Sequence, residues 1–177
     1  MEYKQNDILV PDGYEGIYYS IGDGAYKKHH DNVGGIATFG EKQYNKLGNL
    51  TKDFLLKYLD NSIKRLDRYV ADILNEGLKK FEDIEDIVLG IIEDVMFFAK
   101  HINKTFFDNF VKHNAFIDER WFGCLQFRSW RLGMLNHLEE ITPEDFCENV
   151  LENIMYLACK LKEHIEQKCK GDMIKLF

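Results

Sequence analysis

The chain has no run of eighteen apolar residues, the length a membrane-spanning helix requires. Its opening, MEYKQNDILVPDG, lacks a basic region followed by an apolar core, so no secretory leader is expected and the expected location is the cytoplasm. The four cysteines, Cys124, Cys147, Cys159 and Cys169, form no CxxC pair, which argues against a structural zinc site. Cys159 and Cys169 would stand about 15 Å apart along a helix, too far to bridge each other. Reduced thiols are the expectation. Positive charge is also scarce: 23 Lys and Arg stand against 30 Asp and Glu, for a net charge of −7. Such a molecule repels a phosphate backbone, which excludes broad nucleic-acid binding. There is no internal repeat and no low-complexity tract.

What is present suits one folded domain. Apolar residues make up 45% of the 177 positions and aromatics 14%, enough to build a core despite 30% charge. Two regimes meet near residue 50. Residues 1–48 hold eight of the thirteen glycines, in stretches such as GYEGIYYSIGDG and KKHHDNVGG. The first allows a short strand or hairpin around Ile17, Tyr18 and Tyr19, and the second is turn-like. This aromatic arm is expected to pack on the rest of the chain.

From residue 49 to 177 the pattern is helical. Asn49 or Thr51 caps a helix to Glu76 with Gly77 as its stop, and Leu55, Tyr58, Leu59, Ser62, Leu66, Tyr69, Val70, Ile73 and Leu74 share one stripe. A second helix spans Phe81 to Asn103, with Ile84, Ile87, Val88, Ile91, Val95 and Phe98 on its core side. A third, short one covers Thr105 to Lys112. Asp118 opens a further helix to His137. Thr142 caps the last, with Pro143 in its first position and Gly171 after its end. The expected fold is all-α: a bundle of four or five helices with a Gly-rich, aromatic N-terminal arm that allows a short hairpin.

Acidic residues in the second helix carry the chemistry. Glu82, Asp86 and Glu93 fall at offsets of zero, four and eleven, within one broad face, with Glu85 and Asp94 beside it. Carboxylates so spaced suit magnesium, whose hard oxygen shell is completed by water and phosphate. A magnesium-bound water can then attack a phosphoanhydride. The competing reading is a solvated helix exterior. A second acidic ladder, Glu144, Glu148 and Glu152, would make a carboxylate cage if it faced the first. In the first helix Lys64, Arg65 and Arg68 either steady phosphate oxygens or pair with Asp60 and Asp67.

Weaker signals are His29-His30-Asp31, an HD dipeptide with no supporting upstream histidine, and Arg131 with His137, at a spacing like that of HEPN-type ribonucleases. The Gly-rich GDGAYKKHHDNVGG contains no P-loop pattern. Trp121, Phe122, Phe127 and Trp130 read as core or interface.

Phe39-Gly40-Glu41-Lys42-Gln43-Tyr44-Asn45-Lys46-Leu47-Gly48, then Tyr58-Leu59-Asp60, Lys64-Arg65-Leu66 and Arg68-Tyr69-Val70, resemble the front of phage-type dATP/dGTP diphosphohydrolases of the MazG-like, all-α nucleotide pyrophosphohydrolase class. Glu82-Asp83-Ile84-Glu85-Asp86 is similar to the acidic run that follows there. The chain departs from the class in two ways: Arg65 stands where the class has a histidine, and the paired EExxE signature is missing in clean form. The resemblance covers about a third of the chain. It implies a nucleotide substrate, magnesium on Glu82, Asp86 and Glu93, phosphate contacts from Lys64, Arg65 and Arg68, base packing by Tyr44, and a homo-oligomer with sites completed across subunits. The alternative is a non-enzymatic interaction protein of phage or mobile-element type, presenting acidic faces to a protein partner.

Overall fold

The computed structural model describes residues 4, 7–11, 18–22, 25–28, 36–38, 44–114 and 143–174. The expected helix from Asp118 to His137, with Arg131, the Trp121–Trp130 stripe and Cys124, lies outside the described residues, as do Thr142 and the His29-His30-Asp31 run.

The helical body is the expected bundle. Helix α1 runs Lys52–Glu76, α2 Leu78–Ile102 and α3 Lys104–His113. A short helix α4, Pro143–Phe146, passes through a π-helical turn, Cys147–Leu151, into α5, Glu152–Lys168. Thr51 caps α1 as the sequence anticipates, its Oγ1 accepting from the Phe54 N–H at 3.1 Å. Both α1–α2 and α2–α3 are joined through single residues, Gly77 and Asn103. The Asn103 side chain caps α3 by accepting from Phe106 N at 3.4 Å and meets His164 of α5 at 3.1 Å. Helix α2 continues unbroken through Gly90.

α1, α2 and α5 pack mutually around one core. Leu55, Leu59, Leu66 and Ile73 of α1 face Val88, Ile92, Val95 and Phe98 of α2 and Ile154, Leu157, Leu161 and Ile165 of α5, all buried. Burying each such side chain contributes about 1.5–3 kcal/mol. Polar ties fix the directions. Tyr58 meets Asp94, which sets α1 against an antiparallel α2. Lys162 meets Asp60, and Lys52 Nζ donates to the Glu166 and Cys169 carbonyls at 3.5 and 3.4 Å, which sets α5 antiparallel to α1.

The arm is more ordered than a hairpin. Five antiparallel strands, β1 Asp7–Pro11, β2 Tyr18–Gly22, β3 Ala25–Lys28, β4 Ile36–Thr38 and β5 Tyr44–Asn49, form one sheet in the order β4-β3-β2-β1-β5. The expected hairpin is there as β2–β3, with Tyr19 opposite Lys27. The sheet also takes in Tyr44–Asn49, where the sequence reading places no strand. That segment is a strand because β1 supplies a partner from far along the chain, with Val10 opposite Asn45. Such a pairing is not visible in local glycine content. Ile8 of β1 belongs to the same buried cluster as the helices.

The chain closes on itself at the joint between sheet and bundle. Thr51 bridges Met173, Lys52 N donates to Asp172 O at 2.7 Å, and Ile174 is buried in the core.

Gly77 holds φ 79° and ψ −170°, a region that side-chain-bearing residues rarely adopt. A Cβ there would meet nothing within 4 Å, so the cost of a substitution is backbone strain alone. Gly77→Ala is expected to lower stability by about 1–3 kcal/mol in urea unfolding, with the far-ultraviolet spectrum unchanged. A loss under about 0.5 kcal/mol would mean that the joint relaxes into another conformation.

Candidate functional site

The α1–α2 hairpin brings together the two segments that the sequence singles out. From the Tyr58–Asp94 contact toward Gly77, each helix advances about 1.5 Å per residue, in opposite directions. Arg65 therefore stands level with position 87 and Arg68 with position 84. The basic stretch of α1 runs alongside the stretch of α2 that lies between Glu82 and Glu93. The side chains of Glu82, Asp86 and Glu93 lie outside the described ones, as does that of Tyr44, whose backbone belongs to β5.

Because α2 is continuous, its rise fixes the axial spacing. Glu82 and Asp86 are one turn apart, about 6 Å, whereas Glu93 lies about 10 Å beyond Asp86. On backbone spacing alone, two carboxylates one turn apart are close enough to share one ion with ligands near 2.1 Å, whereas a third about 10 Å further on is not. Among the described residues, no three His, Cys, Asp or Glu side chains converge on a metal position.

Lys64, Arg65 and Arg68 are exposed on α1. Arg65 Nη2 donates to the Tyr69 hydroxyl at 3.5 Å, and the Arg68 guanidinium lies 5.3 Å from the Tyr69 ring centre. Tyr69 is buried and anchors both arginines from below. Two guanidinium groups held on one aromatic are pre-organised for an anion, at less entropic cost than free side chains. Asp60, paired with Lys162 and near Lys64, has its carboxyl pulled below the usual range, first by the Lys162 hydrogen bond. The expected pairing of Asp60 within α1 is thus in large part a tie to α5.

Beneath this surface lies a polar contact the sequence reading passed over. Asp94 is only 1% exposed, and the Tyr58 hydroxyl donates to its Oδ2. The Tyr58 ring stacks on Phe54, with centroids 6.3 Å apart, and meets Phe98 edge-on at 6.2 Å. Burial pushes the Tyr58 phenol well above its ordinary value. The Asp94 charge and hydrogen bond push it further, while Arg65 and Ser62 oppose them. The signal was legible: Asp94 is three residues after Ile91 and four before Phe98, inside the apolar stripe rather than beside the acidic face.

The second acidic ladder does not read as a cage. Glu144, Glu148 and Glu152 are exposed. The π-helical turn between Glu144 and Glu152 widens the helix locally, so four-residue spacing no longer aligns them. That turn packs on α1, with the Cys147 thiol 3.9 Å from Val70 O. Burial, then the charges of Glu152 and Glu144, push the Cys147 thiol up to about 11, so it is an inert core group.

No helix among the described residues is long and apolar enough to cross a membrane. Comparison of the chain with protein-family models, with curated proteins and with solved structures finds no match.

The Tyr58 phenol gives a pH test. Its folded pKa is raised above the unfolded value, so its stabilising contribution is complete below about pH 10, where phenols stay protonated in both states. It is lost as pH climbs from there toward the folded pKa, because only the unfolded chain releases the proton. Tyr58→Phe is expected to cost about 1–3 kcal/mol near neutral pH, by leaving Asp94 without this donor. It should also flatten the alkaline fall in stability above pH 10. An alkaline limb identical in wild type and variant would show that Tyr58 does not titrate with unfolding.

Proposed function

We propose that the chain is a nucleotide-handling helical protein acting as a magnesium-dependent nucleoside triphosphate pyrophosphohydrolase, with the protein as a cytoplasmic homo-oligomer. The observation that supports this reading is the alignment of the basic stretch of α1 with the acidic stretch of α2 on one hairpin. A triphosphate needs both: cations for its terminal oxygens and carboxylate-held magnesium for the phosphate that is attacked.

In this reading Glu82 and Asp86 hold one magnesium, and Glu93, two turns on, serves a second ion or orients the attacking water. Arg65 and Arg68, seated on Tyr69, grip phosphate oxygens, with Lys64 on the same exposed face. Tyr44 of the arm packs on the base. The Tyr58–Asp94 contact keeps α1 and α2 from sliding, so the two sets of charges hold their level. Magnesium, when bound, polarises the phosphoanhydride and lowers the pKa of its water.

The test is pyrophosphate release from the deoxy- and ribonucleoside triphosphates, with and without magnesium. Glu82→Gln and Asp86→Asn are each expected to lower turnover by at least about a hundredfold, since each removes a charge from the metal. Arg65→Ala and Arg68→Ala should raise KM more than they lower kcat. Folded protein that is silent with every triphosphate would return the acidic segment to a solvated surface. The interaction-protein alternative would then be pursued by capture of a protein partner.

A further inference from the structure

The outer side of α5 holds a pattern that the proposed activity leaves unused. Side chains four apart on a helix form one continuous ridge. In α5 one such ridge is Glu152, Tyr156, Lys160, His164 and Lys168. None of the five is buried: Glu152, Tyr156 and Lys168 are exposed, Lys160 and His164 half-buried. Tyr156, at 51%, is more exposed than any other large apolar side chain among the described residues. The Lys160 ammonium lies 5.8 Å from its ring centre, as neighbours along one ridge should. Helix α3 walls one side. The Phe106 ring stands 6.3 Å from that of Tyr156, and Asn103 reaches His164. The Asn103 oxygen is engaged by Phe106 N, so its amide nitrogen donates to His164 Nδ1. The neutral ring then carries its proton on Nε2, which is a donor.

The ridge changes character along its length. It begins with an acid, ends with a donor and a cation, and holds an aromatic ring beside an ammonium at its middle. A second copy laid parallel to it would set Glu152 against Glu152 and Lys160 against Lys160. A copy laid antiparallel, across a two-fold axis level with Ala158, sets opposites together. Tyr156 of each copy meets the partner's Lys160, and Glu152 meets the partner's His164, with the partner's Lys168 one turn beyond. The two-fold axis makes each contact twice. Ridges of this inclination interdigitate in the commonest helix-packing class, with axes crossing at about −50°.

We propose that this ridge is the surface on which a second copy of the chain docks, antiparallel and two-fold, through α5. It names the contact of the proposed homo-oligomer and stands whether or not the chain hydrolyses triphosphates. The surface is one helix wide with the α3 wall beside it, which is small for a specific interface. The dimer expected is therefore a weak one, in the micromolar range.

The experiment is sedimentation equilibrium of the full-length, reduced protein from micromolar to submillimolar concentration, with circular dichroism to confirm folding. Wild type is expected to dimerise, and less so as salt is raised. Tyr156→Lys, at an exposed position, sets ammonium against ammonium and should weaken association at least about tenfold. Adding Lys160→Glu restores opposite charges and should recover the dimer. Cys159, exposed and one residue from the level of the axis, gives a second readout. A short bismaleimide should join two copies, and Cys159→Ser should abolish that product. Protein that stays monomeric at every concentration would overturn the assignment. So would a dimer that Tyr156→Lys leaves intact, or one whose Cys159 thiols the reagent does not join. Neither readout involves pyrophosphate release, so failure here is distinct from failure of the hydrolase reading.

Discussion

The rest of the bundle depends on one buried contact, between the Tyr58 hydroxyl and the Asp94 carboxylate. A carboxylate 1% exposed is tolerable only if its oxygens are met by donors. Sliding α2 by one turn along α1 would take Asp94 away from Tyr58 and, in one direction, bring it level with the buried, apolar Leu55. Apolar stripes alone do not forbid that slip, since Leu and Ile at helical spacing pack acceptably in neighbouring registers. The polar pair makes one register much better than the others, which is the best-attested use of a buried polar group.

That register then propagates outward. The one-residue joint at Gly77 leaves no slack between α1 and α2, and Asn103 repeats the arrangement between α2 and α3 while reaching His164 of α5. Helix α5 is tied to α1 near its own end by Lys162–Asp60 and by Lys52 on its last carbonyls. The exposed ion pairs, such as Lys104–Asp108 and Lys160–Glu163, lie within single helices and add little beyond local support. Specificity comes from polar contacts between helices, and bulk stability from the leucines and isoleucines beneath them.

The contrast between what sequence disclosed and what it hid follows the same division. Helix ends written in local chemistry were legible: Thr51 before α1, Gly77 after it, and a short helix near Thr105. The stripe of α1, including Tyr58 and Ser62, was legible from its period. Hidden features are those that need a partner distant in the chain. Tyr44–Gly48 becomes a strand only because β1 lies beside it. Asp94 was grouped with neighbouring acids by residue type, whereas its position relative to Ile91 and Phe98 assigns it to the core. The π-helical turn at Cys147–Leu151 has no local signature in the ladder that it disrupts. Arg65 and Arg68 were legible as cations, but their common seat on Tyr69 is a tertiary arrangement.

Helix α2 is long enough to keep its two ends electrostatically independent. Its acidic stretch starts at Glu82, and its last turn is reached at His101, nineteen residues later, about 28 Å along the axis. That separation exceeds the Debye length of about 8 Å at physiological ionic strength several times over. Charge placed at one end therefore shifts the other end very little through solvent. Mechanical coupling is the remaining route, and the Tyr58–Asp94 contact lies between the two ends, pinning α2 to α1. A helix clamped at that point transmits little sliding from one end to the other.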